Sequence, residues 1–100
     1  MENSWYASDR QDTDVATVAK VAEPGSKNVI TSIYAGYSSA AQTGTVTVTI
    51  GAIVTVIDII GQANLQGLDI AGGTSEAVTA ALSAGGAGVN GSLLLNGYTK

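Results

Sequence analysis

Polar and apolar residues alternate most regularly near the middle of the chain. Thr45, Thr47 and Thr49 interleave with Val46, Val48 and Ile50, and after Gly51-Ala52 the β-rich run Ile53 to Ile60 follows. Successive side chains of a strand point to opposite faces, so the pattern predicts two strands joined by a two-residue connection. A glycine at the first connecting position is the signature of a type II′ hairpin. In that register Ile50 faces Ile53, Val48 faces Thr55 and Val46 faces Ile57, which makes one face nearly all apolar. The opposite face, with Thr45, Thr47, Thr49 and Asp58 beside Val54 and Val56, is half polar and suits solvent or a neighbour.

The same period recurs on both sides of this hairpin. Val15, Val18, Ala19 and Val21 fit a helix about as well as a strand, and the Thr and Val content favours a strand near 16–22. Glu23-Pro24-Gly25-Ser26 reads as a type II turn, because Pro24 presets φ and Gly25 tolerates the left-handed position. Asn28 to Tyr37 is β-rich and is expected to pair with the preceding strand. Residues 38–44 and 61–66 read as loops, Leu68 to Ile70 as a short strand, and Ala71-Gly72-Gly73-Thr74 as a turn. Val78, Ala80 and Leu82 share one side of the next segment, Leu93 and Leu95 repeat the alternation, and the glycines between them read as a hairpin connection. About seven short strands without a long helical period predict an all-β antiparallel β-sandwich or jelly-roll-like domain. Residues 1–14 are polar apart from Trp5-Tyr6 and read as an extended N-terminal arm, which leaves 15–100 as the domain. The competing reading has Trp5 capping the domain's own core.

Composition narrows the function classes. One hundred residues suit a single domain with a single core. The apolar fraction, 45%, is made of Val, Ile, Leu and Ala with no Phe, and β-branched residues pack well on a pleated sheet. Only 12% of residues are charged and the net charge is −4, so there is no basic footprint for nucleic acid. A surface of Thr, Ser, Asn and Gly favours packing beside other proteins. There is no cysteine for a disulfide or thiolate site and no histidine for general-base or metal chemistry. The first residues lack the basic start and apolar run of a secretory signal, and the stretch Val46 to Ile60 is short for a membrane span. No membrane, nucleic-acid or cofactor partner is therefore expected.

Candidate chemistry is sparse. Asp9, Asp12 and Asp14 lie close enough in sequence to suggest Ca²⁺, but the glycine and distant glutamate of an EF-hand loop are out of register. Ser26-Lys27 and Tyr98-Thr99-Lys100 offer a hydroxyl and an amine without an orienting partner. Gly85-Gly86-Ala87-Gly88 lacks the Lys-Ser/Thr ending of a phosphate loop. Tyr34 and Tyr37 suit either a small aromatic surface for a sugar or a partner, or core or edge packing. A non-enzymatic role is expected.

Three blocks resemble a known group of proteins. They are Trp5-Tyr6-Ala7-Ser8-Asp9 with Gln11-Asp12-Thr13-Asp14-Val15-Ala16, the segment VITSIYAGYS from Val29 to Ser38, and the ending from Leu82-Ser83-Ala84-Gly85-Gly86 to Asn96-Gly97-Tyr98. In this order they resemble small β-sandwich structural proteins of tailed bacteriophages, some of them capsid decoration or cement proteins, while Gln42 to Ser75 departs more. The resemblance implies a virion protein on the capsid surface, present in the host cytoplasm during assembly. It implies the major capsid protein as partner and a symmetric oligomer, with a trimer favoured. Trp5, Tyr6, Asp9, Arg10, Asp12, Tyr34 and Tyr37 are then the candidate partner-interface residues, aromatic anchors being the strongest contributors to interfaces. A tail or fibre module binding a host glycan through Tyr34, Tyr37 or Tyr98 is the alternative.

Overall fold

The computed structural model describes residues 3–86 and 88–100; residues 1 and 2 of the expected arm and Ala87 of the glycine-rich connection lie outside it. The regular structure described is β throughout, in two antiparallel sheets that face each other across one core. The larger sheet contains β1 (Asn3–Asp12), β9 (Asn90–Thr99), β3 (Asn28–Tyr37) and β6 (Gln62–Leu65) in that order, with the two-residue β7 (Ile70–Ala71) also on β3. The smaller sheet runs β2 (Ala16–Lys20), β8 (Val78–Leu82), β4 (Thr43–Ile50), β5 (Ile53–Ile60).

The β4–β5 hairpin has the expected register, with Ile50 opposite Ile53, Val48 opposite Thr55 and Val46 opposite Ile57. Gly51 has φ +59° while Ala52 stays outside the left-handed region, as a type II′ turn requires. The turn at residues 23–26 also forms, with the Ser26 N–H donating to the Glu23 carbonyl at 3.0 Å and Gly25 at φ +76°.

Four expectations are corrected. The N-terminal arm is, over residues 3–12, an edge strand hydrogen-bonded to β9 along its length, from Asn3 opposite Thr99 to Asp12 opposite Asn90. Its inward positions Trp5 and Ala7 pack against the core. The strand at Ala16–Lys20 does not pair with β3; it pairs with β8, and β3 pairs with β9, β6 and β7. The glycine-rich stretch after β8 is likewise a passage between sheets and not a hairpin turn. Residues 62–65, read as loop, form β6 on β3. The first three corrections share one cause: each sheet has a single apolar face, and sending consecutive strands to opposite sheets closes a core between them.

Val78, Ala80, Leu82, Leu93 and Leu95 are all buried, as their alternation predicts, and meet Ile30, Ile33, Val46, Val48 and Ile50 from the facing strands. Burying each of the larger side chains stabilises the fold by about 1.5–3 kcal/mol before entropy is set against it. Both polar atoms of buried Asn28 are partnered: its amide donates to the carbonyls of Val21 at 3.1 Å and Glu76 at 3.3 Å, and its Oδ1 accepts from Thr99 Oγ1 at 2.8 Å. This one side chain joins β3, β9 and the segments that leave β2 and enter β8.

Candidate partner interface

Alternation along β1 separates the proposed interface residues into two sets. Ser4, Tyr6, Ser8, Arg10 and Asp12 are exposed, whereas Trp5, Ala7, Asp9 and Gln11 are half-buried. The outward set belongs to the outer face of the larger sheet, where Tyr6 stands opposite Asn96 of β9, and Ser8 opposite Leu94, which is itself opposite Tyr34 of β3. Tyr6 is 74% exposed and lies two strands from Tyr34, a lateral separation of about 10 Å. Amides and hydroxyls surround the rings: Asn96 Nδ2 donates to Ser32 Oγ at 3.0 Å, and the Tyr34 hydroxyl donates to Gln62 Oε1 at 3.1 Å. Leu94, between Ser8 and Tyr34, completes a mixed aromatic and polar face. The alternation that sets Leu93 and Leu95 on one face leaves Leu94 and Asn96 on the other, but that β1 and β3 flank them is not legible there, because pairing between distant segments leaves no local pattern.

The inward set is structural. The Tyr37 hydroxyl donates to the Ser83 carbonyl at 2.7 Å and lies 2.9 Å from Ser83 Oγ, which accepts from the Thr45 N–H at 3.0 Å. Tyr37 therefore ties the end of β3 to the connection after β8. Trp5 lies over Gly97, with its Nε1 buried and unpartnered among the described residues. Asp9 accepts from the Thr17 N–H at 3.0 Å and from Gln11 Nε2 at 3.1 Å, joining β1 of one sheet to β2 of the other.

The Thr17 N–H, with help from the Gln11 amide, favours the Asp9 carboxylate and holds its pKa below the usual 3.8. Because the folded value lies below the unfolded one, the stabilisation is complete above the unfolded pKa and is lost as pH falls through the folded pKa. Thermal melts between about pH 5 and pH 2 are expected to show this acid loss in the parent chain and a shallower slope in Asp9→Asn. Equal slopes would show that the clasp contributes nothing through its charge.

Asp9, Asp12 and Asp14 do not assemble into a cation site. Asp9 turns toward β2, Asp14 Oδ1 accepts from the Val15 N–H at 2.8 Å, and among the described residues no three potential metal ligands come together. Lys27 and Lys100 exchange backbone hydrogen bonds at 2.8 and 2.9 Å, a structural closure of that end of the sandwich.

The outer face of the smaller sheet has a different chemistry. The registers set Thr17, Ala81, Thr47 and Val56 in one row and Ala19, Thr79, Thr49 and Val54 in the next. These eight positions include no charged side chain, and a shallow depression runs over the Thr and Ala side chains at their centre. The half-polar face expected of β4 and β5 thus extends across all four strands. The alternations Thr17-Ala19 and Thr79-Ala81 were its sequence signal.

No protein-family model matches the chain, and no curated protein matches it. Among solved structures, the fold is similar to that of a chain in the acid-stable capsid structure of Helicobacter pylori bacteriophage KHP30. The alignment has a TM-score of 0.57 and 16% identity, and covers 98% of this chain and 93% of that one. The crystal structure of FLHE aligns over 94% of this chain and 96% of that one with a TM-score of 0.42 and 13% identity, too low to support any argument. At such identities the likeness to the capsid chain is one of fold.

Proposed function

We propose that this chain is a non-enzymatic structural component of a tailed-phage virion, which decorates the capsid and stabilises its lattice by binding the major capsid protein as a symmetric oligomer. The observation that carries this reading is the fold shared, over nearly the full length of both chains, with a chain of a phage capsid structure. The strand order supports it. Leaving out the two-residue β7, eight strands divide between two sheets of four as β1-β9-β3-β6 and β2-β8-β4-β5, an arrangement of the jelly-roll kind that viral capsid and lectin domains share. Two broad outer faces poor in charge suit docking on a protein lattice.

Mass spectrometry and cryo-electron microscopy of purified particles from the host that makes this chain test the reading. The chain is expected in the heads, at lattice positions with repeated density; its absence from heads overturns the proposal. The aromatic face supplies a finer test. Tyr6→Ala with Tyr34→Ala should leave the chain folded with a modest drop in melting temperature, since Tyr6 is 74% exposed while Tyr34, at 36%, also gives up its hydrogen bond to Gln62. Loss of two central aromatic anchors should weaken capsid binding by at least about thirtyfold, measured as occupancy in a titration of undecorated heads.

The mixture of Tyr6 and Tyr34 with Asn96 and Gln62 favours one second reading, a tail or fibre module that binds a host glycan. Aromatic rings with neighbouring amides suit the apolar and hydroxyl faces of sugars. Binding to a glycan array that the same double substitution abolishes, together with absence from heads, would select it.

A further inference from the structure

We propose that β5 is a self-association edge, pairing antiparallel with β5 of a second copy so that two four-stranded sheets become one continuous sheet across a two-fold axis. In a two-residue hairpin the flanking pair exchanges its backbone hydrogen bonds, so Ile53, and with it Thr55 and Ile57, turns N–H and C=O toward β4. Val54, Val56 and Asp58 then turn theirs outward. Among the described residues no strand or loop bonds to these outward groups.

Every other edge is short or covered. β1 and β2 lie beside each other, joined by the Asp9 clasp, and β6 and β7 are only four and two residues long. β5 has eight residues, no proline and no lysine, the usual devices that protect an open edge. Of the eight exposed large apolar side chains among the described residues, four are on this strand: Ile53, Val54, Val56 and Ile60.

The occupant is a second copy because the strand suits its own reversed sequence. With Thr55 on the axis, Val54 faces Val56 of the second copy on one side of the sheet, and Ile53 faces Ile57 on the other. Asp58, the strand's single charge, then falls opposite Ala52 in the turn. Registers centred further along set Asp58 against Val54 or Val56, or against its own copy, where like charges repel. Pairing of this kind is two-fold by construction, so the unit is a dimer and not the trimer that the sequence resemblance favours. A strand-edge contact is smaller than the roughly 800 Å² per partner of a standard interface, which makes the dimer concentration-dependent. The inference does not rest on the capsid reading, since the purified chain tests it.

The chain lacks cysteine, so Thr55→Cys introduces a single thiol. Thr55 opposite its copy is a non-hydrogen-bonded pair with Cα atoms about 4.5 Å apart, within disulfide range. Mild oxidation of T55C is expected to give a cross-linked dimer on non-reducing gels. T79C, exposed at the centre of the same sheet, is the collisional control and should give little. Adding Val56→Lys to T55C should lower the yield about tenfold, because a charge on the edge blocks strand addition; its circular dichroism should match the parent, as Val56 is 59% exposed. Sedimentation of the unmodified chain should show its mass doubling as concentration rises. A chain that stays monomeric or forms trimers at high micromolar concentration overturns the proposal, as does T55C cross-linking no faster than T79C.

Discussion

Deleting residues 1–12 is expected to leave the chain unfolded or insoluble, with its β-sheet circular dichroism and cooperative melt both lost. These residues are the expression of one strand: each position from Asn3 to Asp12 has a partner on β9, and Trp5 and Ala7 close one side of the core. Truncating a well-packed aromatic to Ala costs about 3–5 kcal/mol. A domain of this size has only about 5–15 kcal/mol in total, and the deletion also removes the ladder and the Asp9 clasp. What remains would expose β9, ten residues whose alternate positions are buried and which carry three consecutive leucines, as an open edge prone to pairing with other chains. A truncated chain that stays soluble, monomeric and cooperatively folded would show β1 to be a dispensable arm. Trp5→Ala is the milder companion, expected to fold with a clearly lowered melting temperature.

Gly97→Ala is expected to lower stability by about 3 kcal/mol, the upper end of the range for overpacking, and the melting temperature by more than about 10 °C. Gly97 is buried in β9, opposite Trp5 on one neighbouring strand and Ile30 on the other. Its backbone is ordinary, so the requirement is one of space. A Cβ there would overlap the Val29 carbonyl oxygen and the Trp5 ring. The ring can yield, but the carbonyl belongs to the paired β3 and can move only by opening the sheet. The substitution should therefore combine with Trp5→Ala less than additively, because part of the overlap is with the ring that the second change removes. Chemical denaturation of the two single variants and the double variant measures this, and strict additivity would mean that the ring and Gly97 do not touch.

These two sites also show how much was legible from residues alone. The β4–β5 hairpin was, since the turn glycine and the Thr/Val alternation are local and agree with one another. The buried side of β8 and β9 was legible for the same reason. β1 was not: its inward positions Trp5, Ala7, Asp9 and Gln11 include only one large apolar side chain, so the period of two is faint. A strand whose inner face is completed by hydrogen bonds to Thr17 and by packing over Gly97 resembles a polar tail until the rest of the fold is in place. Partner assignment failed between β2 and β3 because proximity in sequence favours hairpins, whereas the core is closed by strands that change sheet. Of the candidate interface, Tyr6, Arg10, Asp12 and Tyr34 do point outward from one sheet, while Trp5, Asp9 and Tyr37 were chosen for residue type and turn out to hold the sandwich together.

The ladder between β1 and β9 also imposes an order in time. Of the strands described, β1 is made before the others and its partner β9 after them, and at about 5–20 residues per second the wait is roughly 5–20 s. Throughout that interval Trp5 has neither Gly97 to lie over nor a finished core to enter. Folding dominated by pairings this distant in sequence is slow, on the scale of milliseconds to seconds, and cannot finish until the last strand is free. A product that stops short of β9 leaves β1 without the strand it pairs with, so the fold itself admits only chains extended through residue 99 to whatever assembly follows.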